Sequence, residues 1–306
     1  MRTDERDPRV TSDSVVEGEV TPLVRMVRLL IAALFVAAIV AGIWRGATSP
    51  ESGKGALVSG LLLTQVALAG ILILLGSLVE GFGFGLSLGT HWPYTRNILV
   101  LMVRGDPEAA HRIVATLAGL ISVALVILAP NSATISGLAL IVLTALLGFG
   151  TLHVLAGRLP SFVHGIHGLL AYGVFLCYLA FIFGYQDAFW SYLGETPALH
   201  ALLLAVFLGG MTTGHRGFGQ PIGAFDVPRR APQWTFLVHL LAALSVVATL
   251  GWYMPFYTVA FILAVAQVAI GFLLFHAVNL KPTSPGILVA FHQAMVLSIA
   301  VAIIAA

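Results

Sequence analysis

Nine long apolar segments constrain this chain more than any other feature of its sequence. At about 20 apolar residues for each membrane crossing, they predict nine membrane-spanning helices. The predicted spans are 26–46, 56–79, 109–129, 134–155, 163–185, 197–213, 234–252, 256–278 and 284–305. Because 59% of the residues are hydrophobic and only 9% are charged, we expect an all-α, multi-pass membrane protein of the cell membrane, in contact with lipid, and not a soluble domain.

The chain divides into four parts by composition. Residues 1–22 carry six acids and several arginines and predict a polar tail. Residues 23–50 predict an extra transmembrane helix, which we interpret as retained because no small-residue cleavage site follows it. Residues 51–190 and 191–306 predict two pseudo-symmetric four-helix bundles, one in each half of the remaining chain.

An internal repeat supports this division into halves. In each half, a glycine-containing helix ends in a histidine, a proline-containing link follows, and the next helix carries another histidine. The matching residues are Gly148, His153, Pro160 and His167 in the first half and Gly271, His276, Pro285 and His292 in the second. His111 and His239 match in the preceding helices. Repeated halves place their sites at corresponding positions.

The net charge, the cysteine content and the absence of known motifs exclude several classes of function. A net charge of +2 does not predict a nucleic-acid partner. The single cysteine, Cys177, excludes an intramolecular disulfide and a multi-cysteine metal site. The chain has no phosphate-binding loop, no dinucleotide fingerprint and no acidic residue in the middle of a span, so transport of ions is the weaker class.

The basic residues also predict an orientation. By alternation of the spans, both long loops lie on one side of the membrane, which we call face A. Face A receives the polar tail, the loops 80–107 and 214–233, and the links 156–162 and 279–283. Of the 15 Lys and Arg residues, all but Arg45 and Lys54 lie on face A, so the positive-inside rule predicts that this face is cytoplasmic.

Ten histidines in so apolar a chain point to iron chemistry. Imidazole is an axial ligand of heme iron, and two facing helices can each present one histidine to the macrocycle. We predict two such pairs, His111 with His167 and His239 with His292. The small residues Gly165, Gly168, Ala242, Ala243, Ala290 and Ala294 are expected to leave room for the heme. The alternative for each histidine is a structural role, with its ring bonded to backbone carbonyls.

The other histidines and the loop arginines have weaker interpretations. His153 and His276 are expected to solvate helix ends at face A, His164 to support His167, and His200 to be structural. Arg96, Arg216, Arg229 and Arg230, with His91 and His215, lie in or beside the long loops. Guanidinium groups there would bind heme propionates or, equally, lipid headgroups.

The sequence Glu108-Ala-Ala-His111-Arg112 places a carboxylate, an imidazole and a guanidinium at the mouth of a span. Pro107 suits the first turn of that helix. Glu108 and His111 are three residues apart and project from one helix face. Ionisable groups at this depth are costly and usually functional, so Glu108 is the candidate catalytic residue and Arg112 a candidate heme-binding residue.

With these motifs the chain resembles the heme A synthase family. Glu108-x-x-His111-Arg112 is similar to that family's motif, and glycine-rich 81–89 followed by Trp92-Pro93 resembles its first long loop. Gln267–Gly271, the loop sequence Phe225–Pro228 and His292-Gln293 resemble its second-half features. The resemblance covers residues 56–305 in both halves.

The resemblance implies two pseudo-symmetric halves that bind a substrate heme O and a heme b cofactor, and oxidation of a heme methyl group to a formyl group. His111 and His167 would flank the heme O, Glu108 would take part in catalysis, and His239 and His292 would ligate heme b. The implied partners are heme O synthase and respiratory oxidase subunits. The family's Trp-Pro loop faces outward, in conflict with the charge count, and Leu240 stands where a second arginine would match Arg112. The alternative is a b-type cytochrome or an assembly subunit of a respiratory complex.

Overall fold

The computed structural model describes residues 22–89, 92–93, 97–217, 219–282 and 286–306. This part of the chain forms eleven α-helices and contains no strand. The helices are α1 (Pro22–Ala47), α2 (Lys54–Gly81), α3 (Ile98–Arg104), α4 (Pro107–Leu128), α5 (Ser132–Leu155), α6 (Phe162–Ile182), α7 (Phe189–Glu195), α8 (Pro197–Arg216), α9 (Ala231–Trp252), α10 (Thr258–Leu280) and α11 (Gly286–Ile304). The described residues begin at Pro22, so the polar tail predicted at residues 1–22 lies outside them except for that residue.

Within the described residues, nine of these helices are long and apolar enough to cross a membrane, all except α3 and α7. The predicted all-α, multi-pass membrane protein is thereby confirmed. The observed helices differ from the predicted spans by a few residues at their ends, because capping residues decide where a helix begins and ends. At the start of α5, for example, the Asn131 side chain accepts a hydrogen bond from Thr134 N at 3.0 Å, and the helix begins at Ser132. The predicted span 197–213 is too short, since α8 continues to Arg216.

The two seven-residue helices were not predicted, because neither is long enough to show an apolar span. The second of them, α7, lies at the end of the bundle opposite face A. There the ring of Tyr185 stacks on Tyr192, with centroids 4.1 Å apart, and Trp190 Nε1 donates to Ser136 Oγ at 2.9 Å. Tyrosines and tryptophans with one polar atom are typical of the membrane–water boundary.

Eight of the spanning helices pack as two closed bundles of four. In the first bundle, α2 packs on α4, α4 on α5, α5 on α6, and α6 on α2; in the second, α8, α9, α10 and α11 repeat this order. The bundles meet where α2 packs on α11 and α6 packs on α8, while α1 packs on the outside of α2. Helices that carry the predicted histidine pairs, α4 with α6 and α9 with α11, are therefore diagonal partners across a bundle interior.

Glycines allow the close approach of helices between the bundles. A Cβ at Gly165 would lie 2.7 Å from the backbone oxygen of Phe207, and a Cβ at Gly81 would lie 2.6 Å from the Cα of Gly286. Small residues have this role in membrane helix packing. The expectation that Gly165 leaves room for a heme beside His167 is wrong, because α8 occupies that space. A hydrogen bond also joins the two bundles, because Tyr172 on α6 donates its O–H to Gln293 Oε1 on α11 at 2.7 Å.

Candidate functional site

The first candidate histidine is fixed by the capped start of α4. Asp106 Oδ1 accepts hydrogen bonds from the backbone N–H groups of Glu108, at 2.8 Å, and Ala109, at 3.0 Å. Pro107 occupies the first turn, as predicted, where its missing N–H has no helical partner to lose. This start places His111 one turn inside the first bundle.

All four candidate histidines lie against a glycine of a neighbouring helix. A Cβ built on that glycine would stand between 3.1 and 3.6 Å from the imidazole Cε1. The pairs are Gly76 with His111, Gly148 with His167, Gly209 with His239 and Gly271 with His292. A Cβ at Gly209 or Gly271 would press on the imidazole, whereas one at Gly76 or Gly148 would make an ordinary van der Waals contact. The glycines therefore restrict the ring position most in the second bundle.

In three of the four cases, the residue four positions before the glycine makes a polar contact with the histidine Nδ1. Four residues before Gly148, the backbone oxygen of Thr144 lies 3.0 Å from Nδ1 of His167. Four residues before Gly209, the backbone oxygen of Ala205 lies 2.9 Å from Nδ1 of His239. In both, the carbonyl fixes the proton on Nδ1 and leaves Nε2 as the nitrogen able to bind a metal. These contacts also match the structural alternative considered for each histidine, so they do not by themselves require a metal.

In the third case Gln267 supplies the contact to His292. Its Nε2 lies 2.9 Å from His292 Nδ1 and donates to the His292 backbone oxygen at 2.9 Å, whereas its buried Oε1 has no hydrogen-bond partner among the described residues. A half-turn of the amide would offer Oε1 to an Nδ1–H proton but would also turn it towards the His292 backbone oxygen, which accepts from Nε2. Gln267 therefore fixes the position of the His292 ring, as the backbone oxygens do for His167 and His239.

The second bundle brings its two histidines together across the interior. The ring centres of His239 and His292 are 6.5 Å apart, with the ring planes inclined at 62°. Two imidazoles that bind one metal ion from opposite sides, at about 2.0–2.1 Å each, have ring centres about 6–6.5 Å apart. Both rings are partly exposed although they meet between diagonal helices. The residues present therefore fit a bis-histidine heme.

The first bundle has the same plan. His111 lies within electrostatic range of His167 and beside the backbone of Leu72, four residues before Gly76, but its buried Nδ1 makes no hydrogen bond to a described residue. The Nδ1 of His164 likewise has no partner in this part of the chain. The Leu72 backbone thus takes the place beside His111 that Thr144 and Ala205 take beside His167 and His239.

Glu108 is clamped between the first loop and its own helix. Its Oε2 accepts hydrogen bonds from Ser87 Oγ at 2.9 Å and from Leu88 N at 3.1 Å, and its Oε1 pairs with Arg112. Arg112 also donates to the backbone oxygen of Pro93 at 3.2 Å. Only 4% of Glu108 is exposed. The two residues together tie the glycine-rich loop to the start of α4.

The second loop is held by a neutral amide. Gln233 Oε1 accepts from the backbone N–H groups of Arg229 and Arg230, at 3.1 and 3.2 Å, and its Nε2 donates to Asp226 Oδ1 at 3.1 Å. Arg230 in turn donates to the backbone oxygen of Ile222 at 3.3 Å. Phe236 stands three residues before His239, where Glu108 stands before His111, so the second loop is held by Gln233 and Asp226 and not by a carboxylate at that position.

Arg216 is buried between the bundles, away from the loop surface where the sequence placed it. Its Nη1 lies 3.7 Å from Glu80 Oε1, its Nη2 donates to the backbone oxygen of Pro282 at 2.9 Å, and its Nε makes no hydrogen bond to a described residue. It joins the ends of α2 and α8 to the link before α11. Two other loop candidates, His91 and Arg96, lie outside the described residues.

Sequence reasoning predicted none of the four glycine contacts. Gly148 and Gly271 stand out because they belong to the internal repeat, but Gly76 and Gly209 lie in helices with several glycines, and no signal in the sequence separates them from the others. Among the described residues, no group of three or more His, Cys, Asp or Glu side chains could hold a metal ion, so each candidate site offers two protein ligands.

No protein-family model, no curated protein and no solved structure matches this chain.

Proposed function

We propose that this chain is a heme-binding protein of the cell membrane that oxidises a methyl group of heme O to the formyl group of heme A. The observation that carries the proposal is the repeated histidine unit, above all the 6.5 Å separation of the His239 and His292 ring centres. In the proposal these two residues ligate a heme b cofactor, and His111 with His167 flank the heme O substrate.

The bound hemes would supply the redox chemistry, and the chain would supply position and proton control. The Nδ1 contacts of His167 and His239 with backbone oxygens leave their Nε2 atoms available to a metal, and Gln267 holds the ring of His292. The Glu108 carboxylate lies one turn from His111 at the mouth of the first bundle. In the proposal it accepts or returns a proton at the substrate while Arg112 compensates its charge.

The clamped state of Glu108 favours a second candidate, a b-type cytochrome or assembly subunit that binds heme without modifying it. A carboxylate that already accepts from Ser87, Leu88 and Arg112 has a structural use that requires no substrate. In this candidate Glu108 closes the first loop over the bundle, and both histidine pairs hold electron-carrying hemes for a respiratory complex.

The deciding experiment supplies the chain with heme O. The full chain is coexpressed with heme O synthase, and hemes extracted from the purified protein are separated by chromatography. Formation of heme A that depends on this chain supports the synthase. Heme b alone, reversibly reducible and with no heme A formed, supports the electron-transfer cytochrome.

A further inference from the structure

A cleft of about 430 Å³ lies between the second loop and the face-A end of α10. One wall is formed by the loop residues Pro221, Gly223, Ala224 and Phe225, and the other by Phe275, His276 and Asn279 of α10. Neither the histidine pairs nor the Glu108 clamp uses this cleft.

Two phenylalanines line the cleft, Phe225 and Phe275, and Phe272 and Phe236 pack against them. Phe225 contacts Phe272 and Phe275 edge to face, at centroid distances of 5.5 and 5.9 Å, and Phe275 stacks on Phe236 at 4.4 Å. Phe225 and Phe272 are exposed on the outside of the bundle, where the lipid begins. Aromatic walls of this kind favour a flat ring.

His276 is the polar group that remains for a ligand. Asn279 is already used to hold the loop, because its Oδ1 accepts from Gly223 N at 2.8 Å and its Nδ2 donates to the Phe275 backbone oxygen at 3.0 Å. The His276 ring is exposed and makes no hydrogen bond to any described residue. A single imidazole on an apolar wall can donate to a carbonyl oxygen or accept from a hydroxyl group.

The cleft lies close to the second histidine pair. His276 follows Gly271 by five residues on α10, which is about 7.5 Å along a helix axis. Gly271 is the glycine in contact with the His292 ring. A redox-active molecule in the cleft would therefore lie within roughly two helical turns of the candidate heme ligand.

We propose that this cleft binds the ring of an isoprenoid quinol, the electron donor of the protein, with its tail in the lipid. The inference rests on the proposed heme function. The quinol would give up two electrons one at a time, the first passed on through the heme held by His239 and His292 to the heme held by His111 and His167, and the second kept by the His239–His292 heme, so that each iron would go from ferric to ferrous. Its two O–H bonds would break, one proton would pass to His276 and the other to water at face A, and the quinone would leave.

The ligand class follows from the combination of groups. A lipid headgroup would bring a phosphate, and the described residues that line the cleft include no lysine or arginine to pair with it. A quinol ring brings a flat aromatic surface and hydroxyl groups, which match the phenylalanines and the free imidazole.

The test is photolabelling of the full chain in lipid nanodiscs with an azido-quinone, followed by peptide mass spectrometry. Labelling requires no bound heme, so its failure is distinguishable from failure of the heme proposal, which heme extraction measures separately. We expect label on the peptides that contain residues 219–227 and 272–279. His276→Leu should reduce labelling about fivefold to tenfold, as expected for one lost hydrogen bond, and His276→Gln should restore most of it.

His200→Leu is the matched control, because His200 is an exposed histidine at the opposite end of the bundle. It should label as the wild type does. In heme-loaded protein, a short-chain quinol should reduce the heme, and His276→Leu should slow this reduction relative to dithionite. Label spread over lipid-facing helices, equal competition by phospholipid, or full labelling of His276→Leu would overturn the quinol site.

Discussion

At the scale of single residues, a glycine matters as much as the histidine it contacts. A Cβ at Gly209 or Gly271 would lie within 3.1 or 3.3 Å of the His239 or His292 ring and would force that ring to shift. The ring position is then completed by a hydrogen bond to Nδ1. A ligand geometry that depends on a missing Cβ is sensitive to the smallest substitutions.

We therefore expect Gly209→Val to displace the His239 ring and to remove heme from the second bundle. A Cβ there would lie 3.1 Å from the imidazole Cε1, and overpacking of this kind costs about 1–3 kcal/mol. Gly119→Val is the control, because a Cβ at Gly119 meets nothing within 4 Å. Heme content per chain is the measurement, and equal content in the two variants would show that ring position is not set by Gly209.

A second residue-scale prediction concerns Glu108. Glu108→Gln should end heme A formation while keeping heme b, because the substitution removes the ionised carboxylate but leaves the second bundle untouched. Loss of the charged partner of Arg112 should also loosen the first loop by about 1–3 kcal/mol, which hydrogen exchange at residues 82–89 would detect.

Glu80→Gln provides the control for Glu108→Gln, since Glu80 is another poorly exposed carboxylate paired with an arginine at face A. It should retain heme A formation. Normal heme A from Glu108→Gln, with the loop loosened, would leave the carboxylate a structural role alone.

At the scale of elements, apolar length predicts the spanning helices and little else. Nine spans follow from about 20 apolar residues each, but α3 and α7 are too short to leave that signal. The histidine-bearing helices could be predicted because a repeat marks them. The contacts of Gly76 and Gly209 could not, because which helix face meets which depends on packing between helices distant in sequence.

The junction of α6 with α8 yields an element-scale prediction. Gly165→Ala should lower the thermal stability of the purified protein, because its Cβ would lie 2.7 Å from the Phe207 backbone oxygen. A backbone atom cannot move away by a rotamer change, as a side chain can. The cost should be about 1–3 kcal/mol. Gly168→Ala, one turn along the same helix, meets its nearest neighbour at 3.9 Å and should unfold at the wild-type temperature. Equal unfolding temperatures would mean that α6 and α8 do not cross closely.

At the scale of the whole molecule, two signals give opposite orientations for face A. The charge count favours the cytoplasm, and the resemblance favours the outside. Several of the counted arginines are engaged within the protein: Arg112 pairs with Glu108, and Arg216 lies beside Glu80. Arginines retained for such contacts are weaker evidence for orientation, so we expect face A to be outside.

Single cysteines in a Cys177→Ala background would measure this orientation. Arg158→Cys and Gln220→Cys, at exposed positions of face A, should both react with an impermeant thiol reagent added outside intact cells. Asp187→Cys, exposed at the opposite end, should react only after the membrane is opened. Reaction of Arg158→Cys and Gln220→Cys from opposite sides would contradict the helix order between them.

The central claim is that the second bundle holds a bis-histidine heme. The most direct measurement is the pyridine hemochrome spectrum of the purified full chain, with heme content expressed per protein. We predict low-spin heme b in the wild type and in His200→Ala, and its loss from both His239→Ala and His292→Ala with the helical content unchanged. A folded wild type that is colourless after expression with ample heme, or undiminished heme in either histidine variant, would contradict the account.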